Sequence, residues 1–480
     1  MDIYRTGTRL ANRYEIVAGP AEKRSLLGGM GIVYLCYDHE ADRPVALKTF
    51  QPQFLPDRAA RDRFLREGTT WVTFGHHPHI VHCYGVERLS HGTELFLVLE
   101  QVAPAPGKAG ASLRDWLQPG QPLPLETALL FALQIARGLA YAGQQVDGFV
   151  HRDLKPGNVL VGADSLPGWP VNRVRVTDFG LVAALAGGDP LSGDEAPAAS
   201  LQQVQLTRGW VGTPQYMAPE QWQGKPVSVA TDIYALGLIL YELVSGRPAT
   251  TARSLAGLQE AHCRGALTPL AADTPAEIAA LIVRCLALAP AARYQSWTAV
   301  ETALAAAYRA VSGGKGLLPA PVGAAALDRA ERLAAGWAQN SLGASYIDIG
   351  QPAVAVGYFE RVRAVGQVEE EPELLAAGLG NLGSAYFQLG DARRAIDYYE
   401  QSLVIARETG DRVGEGTALG NLGGAYLQLG DARRAIGYLE QQLAIARETG
   451  DRAGEGRALG NLGGAYGQLG DARRAIGCFE

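Results

Sequence analysis

The chain has 480 residues, 47% of them hydrophobic, with 43 lysines and arginines against 49 aspartates and glutamates, a net charge of −6. That length exceeds what one hydrophobic core usually serves, so two or more domains are expected, and the small negative charge speaks against a protein built to grip nucleic acid or an anionic membrane. Five cysteines (Cys36, Cys83, Cys263, Cys285 and Cys478) stand far apart without metal-ligand spacing and read as reduced and buried, while the absence of a signal-peptide core or of eighteen unbroken apolar residues leads us to expect a cytoplasmic chain with no membrane span.

Residues 1–13 read as an N-terminal extension. From Tyr14 to Val102 the pattern is one of short strand-like runs, Tyr14 to Val17, Ile32 to Tyr37, Val45 to Phe50 and Leu95 to Val102, with one charged helix over about Asp57 to Thr69. Between the first two runs lies Leu26-Leu27-Gly28-Gly29-Met30-Gly31-Ile32-Val33, whose glycines let the backbone approach phosphates. Lys48 closes the apolar run Val45-Ala46-Leu47, and Glu67 follows on the helix. A lysine with a helical glutamate is the ion pair that grips the α and β phosphates of a nucleotide. The bland alternative is a solvated surface pair, but a lysine at the end of an apolar strand run is harder to place in solvent.

A loose Pro/Gly/Ala stretch, Pro104 to Ala111, precedes a short helix at Leu113 to Leu117. Leu123 to Gln144 then reads as a long helix with Leu129, Leu133, Ile135, Leu139 and Ala140 on a broad buried face. It leads into His151-Arg152-Asp153-Leu154-Lys155-Pro156-Gly157-Asn158, which sets an acid, a cation and an amide on one short loop. Asp153 is suited to accept the proton of an attacking hydroxyl, Lys155 to neutralise charge on a moving phosphoryl group and Asn158 to hold a metal ion. Two short strands later Asp178-Phe179-Gly180 brings a second metal-binding side chain. The segment from Leu181 to Met217 is rich in Ala, Gly, Ser and Asp, which suits a mobile loop, and it runs into Gly212-Thr213-Pro214-Gln215-Tyr216-Met217-Ala218-Pro219-Glu220. Asp232 opens an apolar helix in which a carboxylate needs a partner.

Taken in order, these stretches resemble the motifs of the eukaryotic-type protein kinases, and the lysine two places after Asp153 is their serine/threonine form. The resemblance runs from Gly28 to Arg293 and is to the bacterial serine/threonine protein kinases. It implies a multidomain chain whose residues 14–308 form a two-lobed α+β protein kinase fold, with ATP and Mg2+ in the cleft and Mn2+ as the alternative ion. Gly28, Gly29, Gly31, Val33, Ala46, Lys48 and Glu67 would hold the nucleotide, Leu99 and Glu100 would receive its adenine, and Asn158 and Asp178 would hold the metal. The resemblance further implies that Thr213 bonds near Asp153 and Lys155, that Glu220 pairs with Arg293 and that Asp232 is held by the catalytic-loop backbone and Arg152. Thr213, Glu220, Asp232 and Arg293 are therefore read as structural.

Thr207 is expected to be a site of trans-autophosphorylation between two self-associating copies, with Arg152 as the receptor for its phosphate. The pattern departs from the family at Leu26, which stands where a first glycine is usual, and at Pro20 to Ser25, which lengthen the turn; altered nucleotide affinity is expected more than lost chemistry. Two rivals stand beside a kinase of protein substrates. One is a nucleotide-binding pseudokinase scaffold acting through the rest of the chain, and the other is a kinase of small molecules, against which the Gly212-Thr213-Pro214 loop speaks by resemblance.

Residues 309–330, with the Gly/Pro/Ala stretch Ser312 to Gly323, read as a linker. Over 331–480 the run Asn381-Leu382-Gly383-Ser384-Ala385-Tyr386 returns at Asn421 and Asn461, a spacing of forty, and a fainter copy starts at Leu342-Gly343 with Tyr346. Each unit has two helical stretches, such as Leu379 to Leu389 and Ala392 to Glu408, joined by Gly390-Asp391. This resembles the tetratricopeptide repeat in a forty-residue form and implies an all-α solenoid, its last repeat cut short at Glu480 so that more repeats are expected. The leucines, glycines and tyrosines are packing positions. Asn381, Asn421 and Asn461, with Gln388, Gln428 and Gln468 seven places on, form polar ladders able to bond a protein or peptide ligand in the groove.

Overall fold

Six antiparallel strands open the chain: β1 (Arg9–Leu10), β2 (Tyr14–Ala18), β3 (Gly31–Asp38), β4 (Arg43–Phe50), β5 (Cys83–Leu89) and β6 (Glu94–Glu100), in the order β1-β2-β3-β4-β6-β5. The computed structural model describes residues 4–18, 31–50, 68, 70–72, 74–89, 94–179, 214–313, 329–348 and 350–479, which fall into two units, Met1–Ala326 and Leu327–Glu480. Successive side chains along a strand point to opposite faces, and the two faces of this sheet do different work. Ile32, Tyr34, Cys36, Val45, Leu47, Phe96 and Val98 pack with Leu10, Tyr14 and Ile16 into one apolar core. The other face sets Val33 opposite Lys48, Lys48 opposite Leu97 and Ala46 opposite Leu99. That register makes an apolar floor with a single lysine standing in it.

The four expected strand runs are present with ends shifted by one or two residues. Two strands lie outside them. Arg9 and Leu10 pair with Glu15 and Tyr14, so part of residues 1–13 belongs to the sheet. In β5 glycine and charged residues break the alternation, and a register shift falls between Cys83 and Gly85; its pairing with β6, not its own pattern, makes it a strand. Of the helix expected over Asp57 to Thr69 only Gly68 is described, and it is helical.

Beyond the sheet come a 3-10 turn at Leu113–Trp116, α1 (Leu125–Gln145), the strand pair β7 (Val159–Val161) and β8 (Val174–Val176), and then α2 (Pro219–Trp222), α3 (Val229–Ser245), α4 (Leu255–Arg264), α5 (Ala276–Cys285) and α6 (Trp297–Val311). Helix α3 is buried continuously from Ala230 to Val244, as a helix at the centre of a unit must be. Ser228 caps its start through its hydroxyl, and Gly246 ends it with φ of 67°. A Cβ at Gly246 would meet the Gln121 and Pro122 backbone at 2.7 to 2.8 Å, so both conformation and space demand glycine.

The second unit is a run of antiparallel-paired helices: α7 (Arg329–Asp348), α8 (Pro352–Val368), α9 (Pro372–Gln388), α10 (Ala392–Thr409), α11 (Arg412–Gln428), α12 (Ala432–Thr449), α13 (Arg452–Gln468) and α14 (Ala472–Phe479). Helix α9 starts at Pro372, earlier than the expected Leu379, because proline is well placed in an opening turn. The recurring Gly-Asp pairs explain the sharp turns. Gly410 and Gly450 close helices in the left-handed conformation, and Asp391, Asp411, Asp431 and Asp451 cap the next ones by accepting a main-chain amide. Gly383 and Gly423 admit the Tyr399 ring and the Leu439 side chain; a Cβ on either would lie 2.5 Å from its neighbour.

All five cysteines are free, but only Cys36, Cys83 and Cys285 are buried; Cys263 and Cys478 are partly exposed because each lies on a helix with one face toward solvent. Burial pushes the Cys36 and Cys285 thiols up to about 12, which leaves them unreactive. Among the described residues no helix is long and apolar enough to cross a membrane.

One buried ion pair fastens α2 to the helices beneath it. Arg293 gives both guanidinium ends to Glu220, at 2.8 and 2.9 Å, and its remaining donors to the carbonyls of Ala230, Ala287 and Leu288; Thr231 also donates to Glu220. Burial alone would push the Glu220 carboxyl up, but the Arg293 hydrogen bonds outweigh it and hold the carboxyl below its ordinary range. A depressed carboxylate contributes stability above its unfolded value, about 4.3, and loses it as pH falls through the folded value. Arg293→Met leaves the carboxylate buried and unpaired, and we expect it to cost about 3–5 kcal/mol at neutral pH, the gap to wild type narrowing in acid as Glu220 takes up a proton. Urea unfolding followed by tryptophan fluorescence reads the first unit, which holds six of the chain's seven tryptophans; equal midpoints at pH 7 would contradict this account.

Candidate active site

The loop at residues 151–158 is shaped from behind. Asp232, 2% exposed on α3, accepts the main-chain amides of His151 at 2.6 Å and Arg152 at 2.9 Å, while Gln221 donates to the Arg152 carbonyl at 2.8 Å. Between these bonds Arg152 holds φ of 66°, a left-handed conformation that a non-glycine residue keeps only when its surroundings over-determine it. Asp232 is bonded to the loop backbone, Arg152 contributing its amide. The His151 ring reaches the Thr177 carbonyl at 3.0 Å and ties the loop to the strand pair β7–β8.

On the open side, Lys155 Nζ lies 2.6 Å from Asp153 Oδ2, and Asn158 Nδ2 donates to the same oxygen at 3.0 Å and to the Asp153 carbonyl at 2.8 Å. Acid, cation and amide therefore meet around one carboxylate. Lys48, 4% exposed in the apolar floor, reaches across from β4 to Asp178 Oδ1 at 3.0 Å. Glu67, the partner expected for Lys48, lies outside the described residues. Burial would raise the Asp178 carboxyl, but the charge and hydrogen bond of Lys48 prevail and hold it below its ordinary value, so Asp178 is a carboxylate at neutral pH.

The donors suit a hard divalent cation. Asn158 spends its amide nitrogen on Asp153 and Asp178 spends one carboxylate oxygen on Lys48, so among the described residues each keeps an oxygen for a cation. A Mg2+ bound by one or two protein oxygens and completed by phosphate and water is the arrangement these residues fit.

Phe179 turns inward, against Trp71 at 5.3 Å, Phe74 at 4.9 Å, Phe149 at 5.9 Å and the His151 ring at 5.2 Å between centroids. This aromatic knot joins the two metal-side motifs, and the sequence pattern does not single out Trp71, Phe74 or Phe149, because isolated aromatics carry no period to flag them. On the adenine side Val33, Ala46 and Leu99 share the cleft face of the sheet. The carboxylate of Glu100 does not: it pairs with Arg175 at 2.9 Å and accepts the His82 amide at 3.2 Å. The Glu100 main-chain amide is spent as well, donating to the His82 carbonyl at 2.8 Å.

Gly31 begins β3. Leu26, Gly28, Gly29, Thr207 and Thr213 lie outside the described residues, as does Gly180. Glu220, Asp232 and Arg293 are buried behind the loop. In the second unit Asn381 donates to Asn340 Oδ1 at 2.8 Å, which adds a rung that the repeat spacing alone does not show. Asn421 is half-buried and Asn461 exposed, and Gln388, Gln428 and Gln468 are exposed at the last turn of their helices.

Comparison with known proteins agrees with this geometry. The protein kinase domain model matches residues 27–306, more than half of the chain, and the tetratricopeptide repeat model matches 334–408, 374–448 and 414–480. The chain belongs to the protein kinase family and carries tetratricopeptide repeats behind the kinase domain. It is 33% identical over 305 residues to the serine/threonine-protein kinase PknA of Mycobacterium tuberculosis, covering 63% of each. It is 34% identical over 284 residues to a serine/threonine-protein kinase of Corynebacterium efficiens, covering 58% of this chain and 48% of that one. The crystal structure of the Mycobacterium tuberculosis PknI kinase domain aligns with 64% of this chain and 100% of its own at 25% identity, with a TM-score of 0.42. The chain spans less than two thirds of the length of either curated relative.

Proposed function

We propose that this chain is an ATP-dependent protein serine/threonine kinase whose repeats recruit partners or substrates. The observation that carries the reading is the meeting of Lys155 and Asn158 on Asp153, across the cleft from the Lys48–Asp178 pair. Asp153 receives the proton of a serine or threonine hydroxyl as its oxygen bonds to the γ-phosphorus and the bond to the ADP oxygen breaks. Lys155 offsets the charge gathering on the transferred group and keeps the Asp153 carboxylate turned toward it. Lys48 and the floor of Val33, Ala46 and Leu99 orient the nucleotide, with Gly28, Gly29 and Gly31 over its phosphates and Glu67 steadying Lys48. Asn158 and Asp178 would hold Mg2+, or Mn2+ in its stead, which would supply neutralising charge to the phosphates. A scaffold without catalysis is disfavoured, because every described residue that the transfer needs stands within bonding distance of its partner. A cytoplasmic setting belongs to the proposal, since ATP is there.

Asp153→Asn removes the proton acceptor and no nucleotide contact. Turnover on a generic protein substrate should fall about 100- to 10,000-fold with ATP affinity little changed, both measured on one preparation with labelled ATP; undiminished turnover would end the kinase reading.

Regulation by phosphorylation of Thr207 in a second copy is part of the same proposal. Among the described residues the half-buried Arg152 side chain makes no hydrogen bond or ion pair, so a phosphate would find an unspent, charge-assisted donor beside Asp153. Mass spectrometry should find phosphate at Thr207 in the active chain and not in Asp153→Asn; full activity in Thr207→Ala counts against the switch.

For the repeats we propose that Asn381, Asn421 and Asn461, with Gln388, Gln428 and Gln468, hold an extended protein segment by its main chain. Replacing the three asparagines by alanine should leave helix content unaltered and abolish co-purification of the bound partner. Recovery of the same partner in equal amount would rule these positions out.

A further inference from the structure

The helix face that carries the asparagines and glutamines of the repeats has one more row, and its members are not alike. On α9, Gly378 is turned to the Arg363 main chain of α8 and Gly383 to the Tyr399 ring of α10. Ala377, Asn381, Ser384 and Gln388 follow one another at helical spacing on the side away from both, and none of them is buried. The bond from Asn381 to Asn340 puts that stripe where α9 meets α7. A shift of forty residues carries Asn381 to Asn421 and Asn461, alike at every step. The same shift carries Ala377 back to Trp337 on α7 and forward to Thr417 on α11 and Arg457 on α13.

This row runs from an aromatic ring to a cation. Among the described tryptophans only Trp337 is exposed, at 41%. The Arg457 side chain is 66% exposed, and its nearest carboxylate, Asp451, stands 3.6 Å away and already accepts the Gly454 amide as the cap of α13. The charge at the other end is of opposite sign. Glu373 is exposed one turn before Ala377, Asp348 is exposed at the end of α7, and the arginines that open α7, Arg329 and Arg332, bond to Glu371 and Glu369. A main chain held by identical asparagines can slip by one repeat and lose little. Side chains that meet Trp337 at one end and Arg457 at the other cannot.

We propose that Trp337 and Arg457 fix the register and direction of the protein segment in the repeats, which carries an apolar side chain against Trp337 and a carboxylate against Arg457. The inference rests on the reading of the repeats as a holder of extended protein segments. Three steps between neighbouring first helices, each about 8–10 Å, set the two residues roughly 24–30 Å apart. An extended chain rises about 3.3 Å per residue, so about eight or nine residues separate the apolar residue from the acid. Trp337 supplies a large rigid contact surface and Arg457 a charge-assisted bond. A reversed segment would bring its carboxylate beside Glu373 and its apolar residue onto a guanidinium, and both contacts oppose binding.

The test uses the full chain and fluorescein-labelled peptides in a serine-glycine background, with one leucine fixed and one aspartate moved residue by residue away from it on either side. Binding is read by fluorescence anisotropy. The wild type should bind tightest at a spacing of about eight or nine residues, on one side only, and about tenfold more weakly when that aspartate is asparagine. Arg457→Glu should shift the preference to lysine at the same spacing, and Trp337→Ala should remove the advantage of leucine over serine. Both positions are exposed, so circular dichroism should show unaltered helix content in each variant. A wild type indifferent to spacing overturns the inference, and so does an Arg457→Glu form that still prefers aspartate. If replacing the three asparagines abolishes binding while spacing has no effect, the reading of the repeats stands and the inference fails. If the preferences for spacing and charge persist in that variant, the asparagines are not the holders and the inference stands. Absence of binding by every peptide overturns both.

Discussion

The carboxylate of Asp232, buried on the central helix α3, receives two consecutive main-chain amides and thereby sets the shape of the catalytic loop. Burial holds that carboxyl above its ordinary range, although His151 and the two amides pull it down. The consequence is geometric. Arg152 is forced into a left-handed turn, the chain reverses, and Asp153 emerges facing Lys155 and Asn158. Without an anchor at that depth a loop carrying Arg152 in a left-handed conformation has no reason to hold one shape.

The same logic extends outward from α3. Glu220 and Arg293 fasten α2, Gln221 ties that helix to Arg152, and Ser112 ties the turn before α1 to Pro156. The chemistry is done by groups on irregular backbone, yet each is tethered to a helix whose own packing leaves it little freedom. Charge is distributed accordingly. Carboxylates deep in the unit, Asp232, Glu220 and Glu242, take structural partners, whereas Asp153 and Asp178 keep oxygens free toward the cleft.

The second unit is built on a different principle. Its helices bury one another through small residues, with glycines admitting a tyrosine ring or a leucine at distances no Cβ would allow, and from α9 onward the turns pair a glycine after one helix with an aspartate that starts the next. Stacked tyrosine pairs recur at Tyr346 with Tyr358, Tyr386 with Tyr398 and Tyr426 with Tyr438, 5.4 to 5.5 Å apart, so one packing solution is repeated along the array.

Much of this was written in residue order. Asp153, Lys155 and Asn158 lie within six positions of one another, so a short loop had to bring them together, and the forty-residue spacing had to give paired helices because glycine and aspartate punctuate it. Lys48 was legible as a buried cation from the apolar run it closes. What residue order did not contain was the choice of partners across long separations. Lys48 meets Asp178 130 residues away, Arg114 meets Glu242 128 residues away, and Glu100 turns its carboxylate to Arg175. Nor did it contain β5, whose interrupted pattern becomes a strand only against β6. Periodicity and turn chemistry act between near neighbours and can be read locally, whereas a buried charge takes whichever counter-charge the packed elements deliver to it, and that is decided only when the whole unit closes around it.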